Sequence, residues 1–134
     1  MAKTLLVTDD AAIIRAKIKE AACGAGWKVV AEARNGKEAL ERYIEFRPDV
    51  VTIDLVMPEY DGIYGLREIL AVDPNAKVIV VSAIGQKNIL KDAFQLGAAD
   101  FIVKPFDKAT LTKTLEQFAT VSEPTAEPAA APVA

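Results

Sequence analysis

The chain has 134 residues, 51% hydrophobic and 26% charged, with sixteen basic against nineteen acidic side chains and a net charge of −3. A single domain of that size buries roughly two-thirds of its unfolded surface, and no apolar stretch approaches the roughly 20 residues of a membrane-crossing helix. Two of the acids, Glu123 and Glu127, lie near the C-terminus, so the rest is close to neutral and offers no broad basic face for nucleic acid.

Met1-Ala2-Lys3-Thr4 leads straight into the first apolar run, Leu5-Leu6-Val7-Thr8, without the layout of a signal peptide, so a cytoplasmic protein is expected. The run stops at Asp9-Asp10. Ile14, Ile18 and Ala21-Ala22 then recur at the spacing of one helix face, leaving Arg15, Lys17, Lys19 and Glu20 for the solvent side. Gly24 and Gly26 stop that helix. Cys23 has no second cysteine to pair with, and its place beside Gly24 predicts a small core residue. Trp27, read as packing, introduces the run Val29-Val30-Ala31. Asn35, with Glu38 three residues on, has the chemistry of a helix N-cap. The helix it opens passes through Leu40, Tyr43 and Ile44 and closes at Pro48.

Val50-Val51-Thr52-Ile53 stops at Asp54. Asp61-Gly62 opens a third helix, with Ile63, Leu66 and Leu70 on one face before Asp73-Pro74. Val78-Ile79-Val80-Val81 stops at Ser82, and Ile89, Leu90, Ala93 and Phe94 mark a fourth helix ending at Gly97. Phe101-Ile102-Val103 stops at Lys104. Asp107 caps a fifth helix in which Leu111, Leu115 and Phe118 align. From Val121 to Ala134, proline and alanine dominate, with no aromatic residue, which is the composition of a flexible tail.

Five alternations of strand and helix, at intervals that suit right-handed crossovers, predict an α/β fold: a (βα)5 doubly wound domain over residues 1–120 and a tail over 121–134. The runs are continuously apolar, as in parallel strands covered by helices on both faces. Their carboxyl ends then meet on one sheet edge, where open α/β folds bind ligands. Asp9, Asp10, Asp54, Ser82 and Lys104 would converge there. A single Asp at a strand end is more often a cap or turn former; all three in register with Ser82 and Lys104 reverse that balance. The crowded carboxylates suit Mg²⁺, a hard cation that takes oxygen ligands and a phosphate. Asp54 is then a competent nucleophile for an acyl phosphate, with the ion and Lys104 offsetting charge on the transferring group.

These residues carry a family resemblance. The chain resembles bacterial receiver domains, the phosphoacceptor modules of two-component response regulators, and among them the single-domain CheY-like chemotaxis group. The resemblance spans nearly all of residues 3–120. It rests on Asp9-Asp10, on Asp54-Leu55-Val56-Met57-Pro58-Glu59-Tyr60-Asp61-Gly62, on Ser82-Ala83, and on Gly97-Ala98-Ala99-Asp100-Phe101-Ile102-Val103-Lys104-Pro105-Phe106. It implies a flavodoxin-like, CheY-like three-layer sandwich with strand order 2-1-3-4-5. It also implies a phosphorylation-dependent signalling switch rather than an enzyme. Asp54 would receive the phosphoryl group from a histidine of a partner kinase (CheA-like); with no histidine in the chain, the donor must be a separate protein. Asp10 would bind Mg²⁺ directly, Asp9 mainly through a coordinated water, and the backbone carbonyl of Val56 would add a ligand. Lys104 would pair with the phosphate. Ser82 would hydrogen-bond it and draw the fourth βα loop inward, and Phe101 would be the aromatic that moves from exposed to buried. The change would reach a protein target through the face formed by helix 4, strand 5 and helix 5, in chemotaxis by the same likeness. A cis Lys104–Pro105 peptide is expected.

The chain departs from its relatives at several points. Phe101 replaces a frequent Tyr, so a hydroxyl contact is missing. Thr8 stands where Val is common; its hydroxyl is expected to satisfy a backbone group and is given no catalytic part. Val56 and Ile84 flank the path of water to an acyl phosphate and cannot orient it, which predicts self-dephosphorylation over minutes or longer. The helix-4 face with Ile89, Leu90, Phe94, Lys87 and Lys91 includes a candidate docking patch, although most of its apolar residues are expected to pack on the sheet. A phosphorelay intermediate passing the group to another histidine is an alternative with the same site. A Mg²⁺-dependent aspartyl phosphatase would need an acid where Val56 stands, and a flavin module would meet repulsion between Asp9-Asp10 and the FMN phosphate.

Overall fold

The chain alternates strand and helix five times: β1 (Thr4–Thr8), α1 (Ala12–Gly24), β2 (Lys28–Ala33), α2 (Gly36–Phe46), β3 (Val50–Asp54), α3 (Gly62–Val72), β4 (Val78–Ala83), α4 (Lys87–Leu96), β5 (Asp100–Lys104) and α5 (Lys108–Val121). The structure, a computed structural model, describes residues 3–83 and 85–121. The tail expected over 121–134 therefore lies outside the described residues, apart from Val121 at the end of α5, and so does Ile84.

All strands pair in parallel, in the order β2-β1-β3-β4-β5. β1, β3 and β4 occupy the middle and are buried along nearly their whole length. Their side chains alternate between two cores because successive residues point to opposite faces of the pleat. Leu6, Val51, Ile53, Val78 and Val80 face a core closed by α2, α3 and α4. Leu5, Val7, Val50, Ile79, Val81 and Ile102 face the other, closed by Ile18 and Ala22 of α1 and by Leu111 and Leu115 of α5. The three-layer sandwich with order 2-1-3-4-5 is the one the sequence implies.

Local chemistry sets the helix starts. The side chains of Asn35 and Asp61 accept hydrogen bonds from the N–H groups of Glu38 and Tyr64 at 2.9 Å each, and Asp107 accepts from Thr110 N–H at 2.8 Å. Two glycines allow close backbone approach at the start of α3, Gly62 against the end of β3 and Gly36 against the α3 N-cap. A Cβ at Gly62 would collide with the carbonyl oxygen of Asp54 and lie 2.6 Å from the Leu55 Cα, and one at Gly36 would collide with the Asp61 carbonyl.

Two expectations fail in packing, those for Cys23 and Thr8, and two further side chains stand outside the core. Cys23 is exposed, because the last turn of α1 rotates it off the face carried by Ile18, Ala21 and Ala22. Ile44 is half-exposed; the α2 face turns on Ala39 and Tyr43 instead. Phe94 is 41% exposed while its neighbour Ala93 fills the core position. The Thr8 hydroxyl is buried and finds no hydrogen-bond partner among the described residues.

Candidate functional site at the carboxyl edge of the sheet

Parallel register brings the polar strand ends together. Thr8 lies opposite Ile53, Asp54 opposite Val81, and Ser82 opposite Val103. The residues that end β1, β3, β4 and β5 therefore stand side by side on one edge. Asp9, Asp54 and Ser82 are buried there, Asp10 is exposed, and Lys104 is partly covered. One carboxylate oxygen from each of Asp9, Asp10 and Asp54 lies within 4.8 Å of the others.

Lys104 closes the cluster. Its Nζ donates to Asp9 Oδ2 at 2.8 Å and to Asp54 Oδ2 at 3.1 Å. The remaining oxygens accept from backbone: Asp9 Oδ1 from Ala11 N–H at 2.9 Å, and Asp54 Oδ1 from Val56 N–H at 3.2 Å. Burial pushes the Asp54 carboxyl above its usual range, and the nearby Asp9 charge adds to this, while Lys104 opposes both. Burial alone would lower the Lys104 ammonium; the hydrogen bond to Asp9 and the charge of Asp54 outweigh it and hold the group above its usual value. One ammonium facing three carboxylates leaves a net negative pocket with only oxygen donors. That donor set suits a hard divalent cation.

The remaining expected site residues sit around this pocket. Val56 follows Asp54 on the β3–α3 loop with its side chain 49% exposed. Phe101 is 41% exposed, its ring packed edge-on against Phe94 at 5.8 Å between centroids. Behind it, Ser82, Ala83, Gln86, Leu90, Phe101 and Val103 line an apolar cavity of about 360 Å³. The Lys104–Pro105 peptide is cis, as expected.

Two contacts escape a reading of the sequence. Arg15, assigned there to the solvent side of α1, has only 14% of its side chain exposed. Its Nη1 donates to the backbone carbonyl of Asp9 at 2.7 Å and its Nε to Glu32 Oε1 at 3.0 Å. The signal was a lone glutamate inside the β2 run, where an apolar residue fits better. In the other, the Gln86 side-chain carbonyl accepts from Ala83 N–H at 2.7 Å, beside Ser82.

A five-stranded parallel sheet with three acids and a lysine on its carboxyl edge defines a class: the chain belongs to the response regulator receiver domain family, whose model matches residues 5–116. Within that class its relatives include chemotaxis proteins. It is 47% identical over 117 residues to the chemotaxis protein CheY of Thermotoga maritima, covering 87% of this chain and 98% of that protein. With CheY of Bacillus subtilis it is 52% identical over 106 residues, 79% of this chain and 88% of the other. The CheX–CheY complex with BeF3 and Mg²⁺ from Borrelia burgdorferi matches with a TM-score of 0.79 at 35% identity, over 89% of this chain and 88% of that one. The response regulator domain of Thermotoga maritima CheB matches with a TM-score of 0.78 at 34% identity, over 90% and 96%. The chain is thus a CheY-like, phosphorylation-dependent response regulator.

Proposed function

We propose that Asp54 is the phosphoacceptor of a signalling switch and takes its phosphoryl group from a histidine of a separate, CheA-like kinase. The observation that carries the reading is the position of the Asp54 carboxylate. It lies 3.1 Å from Lys104 Nζ, with one face toward Asp9 and Asp10, at the open edge of the sheet. An Asp54 oxygen attacks phosphorus and the histidine nitrogen leaves. Asp9, Asp10, Asp54 and the Val56 carbonyl would hold Mg²⁺ here, and the bound ion would offset negative charge on the transferring group. Lys104 is placed to move its hydrogen bonds from the carboxylates to the phosphoryl oxygens.

The added charge of about −1.5 to −2 then draws on Ser82. Ser82 and Phe101 share the wall of one cavity, so an inward shift of the β4–α4 loop opens room for the Phe101 ring. The change appears on the face of α4, β5 and α5, where a protein target in a cytoplasmic chemotaxis pathway would dock. The protein acts as a switch and not as a turnover enzyme: the exposed aliphatic side chain of Val56 stands where a phosphatase would need a proton donor. The test is intact mass after incubation with acetyl phosphate and Mg²⁺. One phosphoryl group is expected, absent from Asp54→Ala and from a sample with EDTA. An adduct surviving in Asp54→Ala would overturn the assignment.

A further inference from the structure

We propose that Arg15 is a positioning residue for the acidic pocket: it pins the Asp9–Asp10 peptide to β2, and so fixes where the Asp10 carboxylate stands. The inference rests on the reading of this pocket as a cation and phosphoryl site.

The β1–α1 loop has little else to hold it. Ala11 occupies the N-cap position of α1 and makes no side-chain cap bond, and the first turn holds no acidic residue. The loop is anchored through Asp9 instead. Its N–H donates to the Ala33 carbonyl at 3.1 Å, and its carboxylate is divided between Ala11 N–H and Lys104. The Asp9 carbonyl belongs to the peptide that leads into Asp10, and Arg15 Nη1 holds that carbonyl at 2.7 Å. A change of ψ at Asp9 would turn this peptide and carry the Asp10 Cα with it, and so the one pocket carboxylate that is exposed to solvent. Arg15 is itself braced: Nε is bound to Glu32 at 3.0 Å, and Lys19 holds the other Glu32 oxygen at 2.8 Å. A guanidinium offers two donors in a fixed fork; an ammonium on a flexible stem cannot span the same two acceptors.

Charge and position act in opposite directions here, which makes the inference testable. A positive group beside a cation site opposes binding, so a purely electrostatic Arg15 would weaken Mg²⁺ affinity, and its removal would tighten it. A positioning Arg15 strengthens affinity, and removal would loosen it. Loss of such outer partners of a metal site typically costs about 10–100-fold in affinity.

The experiment titrates Mg²⁺ by calorimetry into the full chain as wild type, Arg15→Gln, Arg15→Lys and Ile18→Val, with urea unfolding of each. The Asp10 amide resonance is compared without metal. Arg15→Gln is expected to bind Mg²⁺ about tenfold more weakly with a displaced Asp10 amide, and saturating Mg²⁺ should restore its rate of phosphorylation. Arg15→Lys should remain weak although its charge is kept. Ile18→Val, which trims a buried side chain on the same helix, should lose stability while keeping wild-type affinity. Unchanged or tighter binding by Arg15→Gln, full rescue by lysine, or an equal loss in Ile18→Val would overturn the proposal. A wild type that fails to bind Mg²⁺ would instead overturn the reading of the pocket.

Discussion

Asp54 and Lys104 contribute to stability with opposite signs. Because burial holds the Asp54 carboxyl above its usual range, its ionised form opposes folding at neutral pH, and that opposition fades as pH falls through the folded value. Asp54→Asn removes the charge and leaves Lys104 its 2.8 Å bond to Asp9, so without Mg²⁺ its urea midpoint is expected at or above that of the wild type. Lys104→Ala strips the only cation paired with the Asp9 and Asp54 carboxylates among the described residues. It is expected to cost about 2 kcal/mol, below the full loss for a buried pair because Lys104 is 23% exposed; Mg²⁺ should recover part of it. Val56 bears on a rate instead. With its aliphatic side chain at the mouth of the pocket, the phosphoryl group is expected to last minutes or longer, and Val56→Asn to shorten that on the order of tenfold. A lifetime of seconds in the wild type would contradict this. The second aliphatic group of that argument, Ile84, lies outside the described residues.

Among the elements, α4 is the one with the least holding it down. Ala93 is its one fully buried residue, and Phe94 lies outside the core with its ring against Phe101. An edge-on aromatic contact contributes about 0.5–1 kcal/mol in a half-exposed setting, so Phe94→Ala should raise the inward population of Phe101 about two- to fivefold without phosphorylation. Fluorine resonances of labelled Phe101 would report it. The α2–α3 pair is different. Tyr43 is buried and its hydroxyl donates to Asp73 at 2.6 Å across the ends of the two helices; Tyr43→Phe is expected to cost about 1 kcal/mol in urea unfolding. What the sequence disclosed follows the same division. Strand ends and caps were legible because Asp9, Asp54, Ser82, Asn35, Asp61 and Asp107 act through their own backbone neighbourhood. The burial of Arg15 and the Tyr43–Asp73 bond were not, because each depends on a partner from a distant element. The wrong placement of Cys23 has a third cause: helical period puts it one position off the buried face, and its residue type outweighed its phase.

For the whole molecule, pH reads the Tyr43 contact. Burial, and then the bond to Asp73, push the Tyr43 hydroxyl from its ordinary 10.0 to about 12. A raised value contributes stability that is complete below pH 10 and is lost as pH rises through 12. Unfolding free energy is therefore expected to fall by up to about 2 kcal/mol across that interval, and Tyr43→Phe should flatten this limb. The glycine at the start of α3 bears on the molecule as a whole too. Gly62 is pressed so closely on the Asp54 carbonyl that no side chain fits between them, while on the opposite flank a cavity of about 360 Å³ separates β5 from the β4–α4 turn. The proposed phosphoacceptor thus lies between a flank closed by backbone contact and a flank with free volume. A group added to Asp54 cannot push toward α3, where backbone meets backbone, and whatever yields must yield toward α4. On the proposed reading, the direction in which the message leaves the molecule is a property of its packing, laid down before any phosphoryl group arrives.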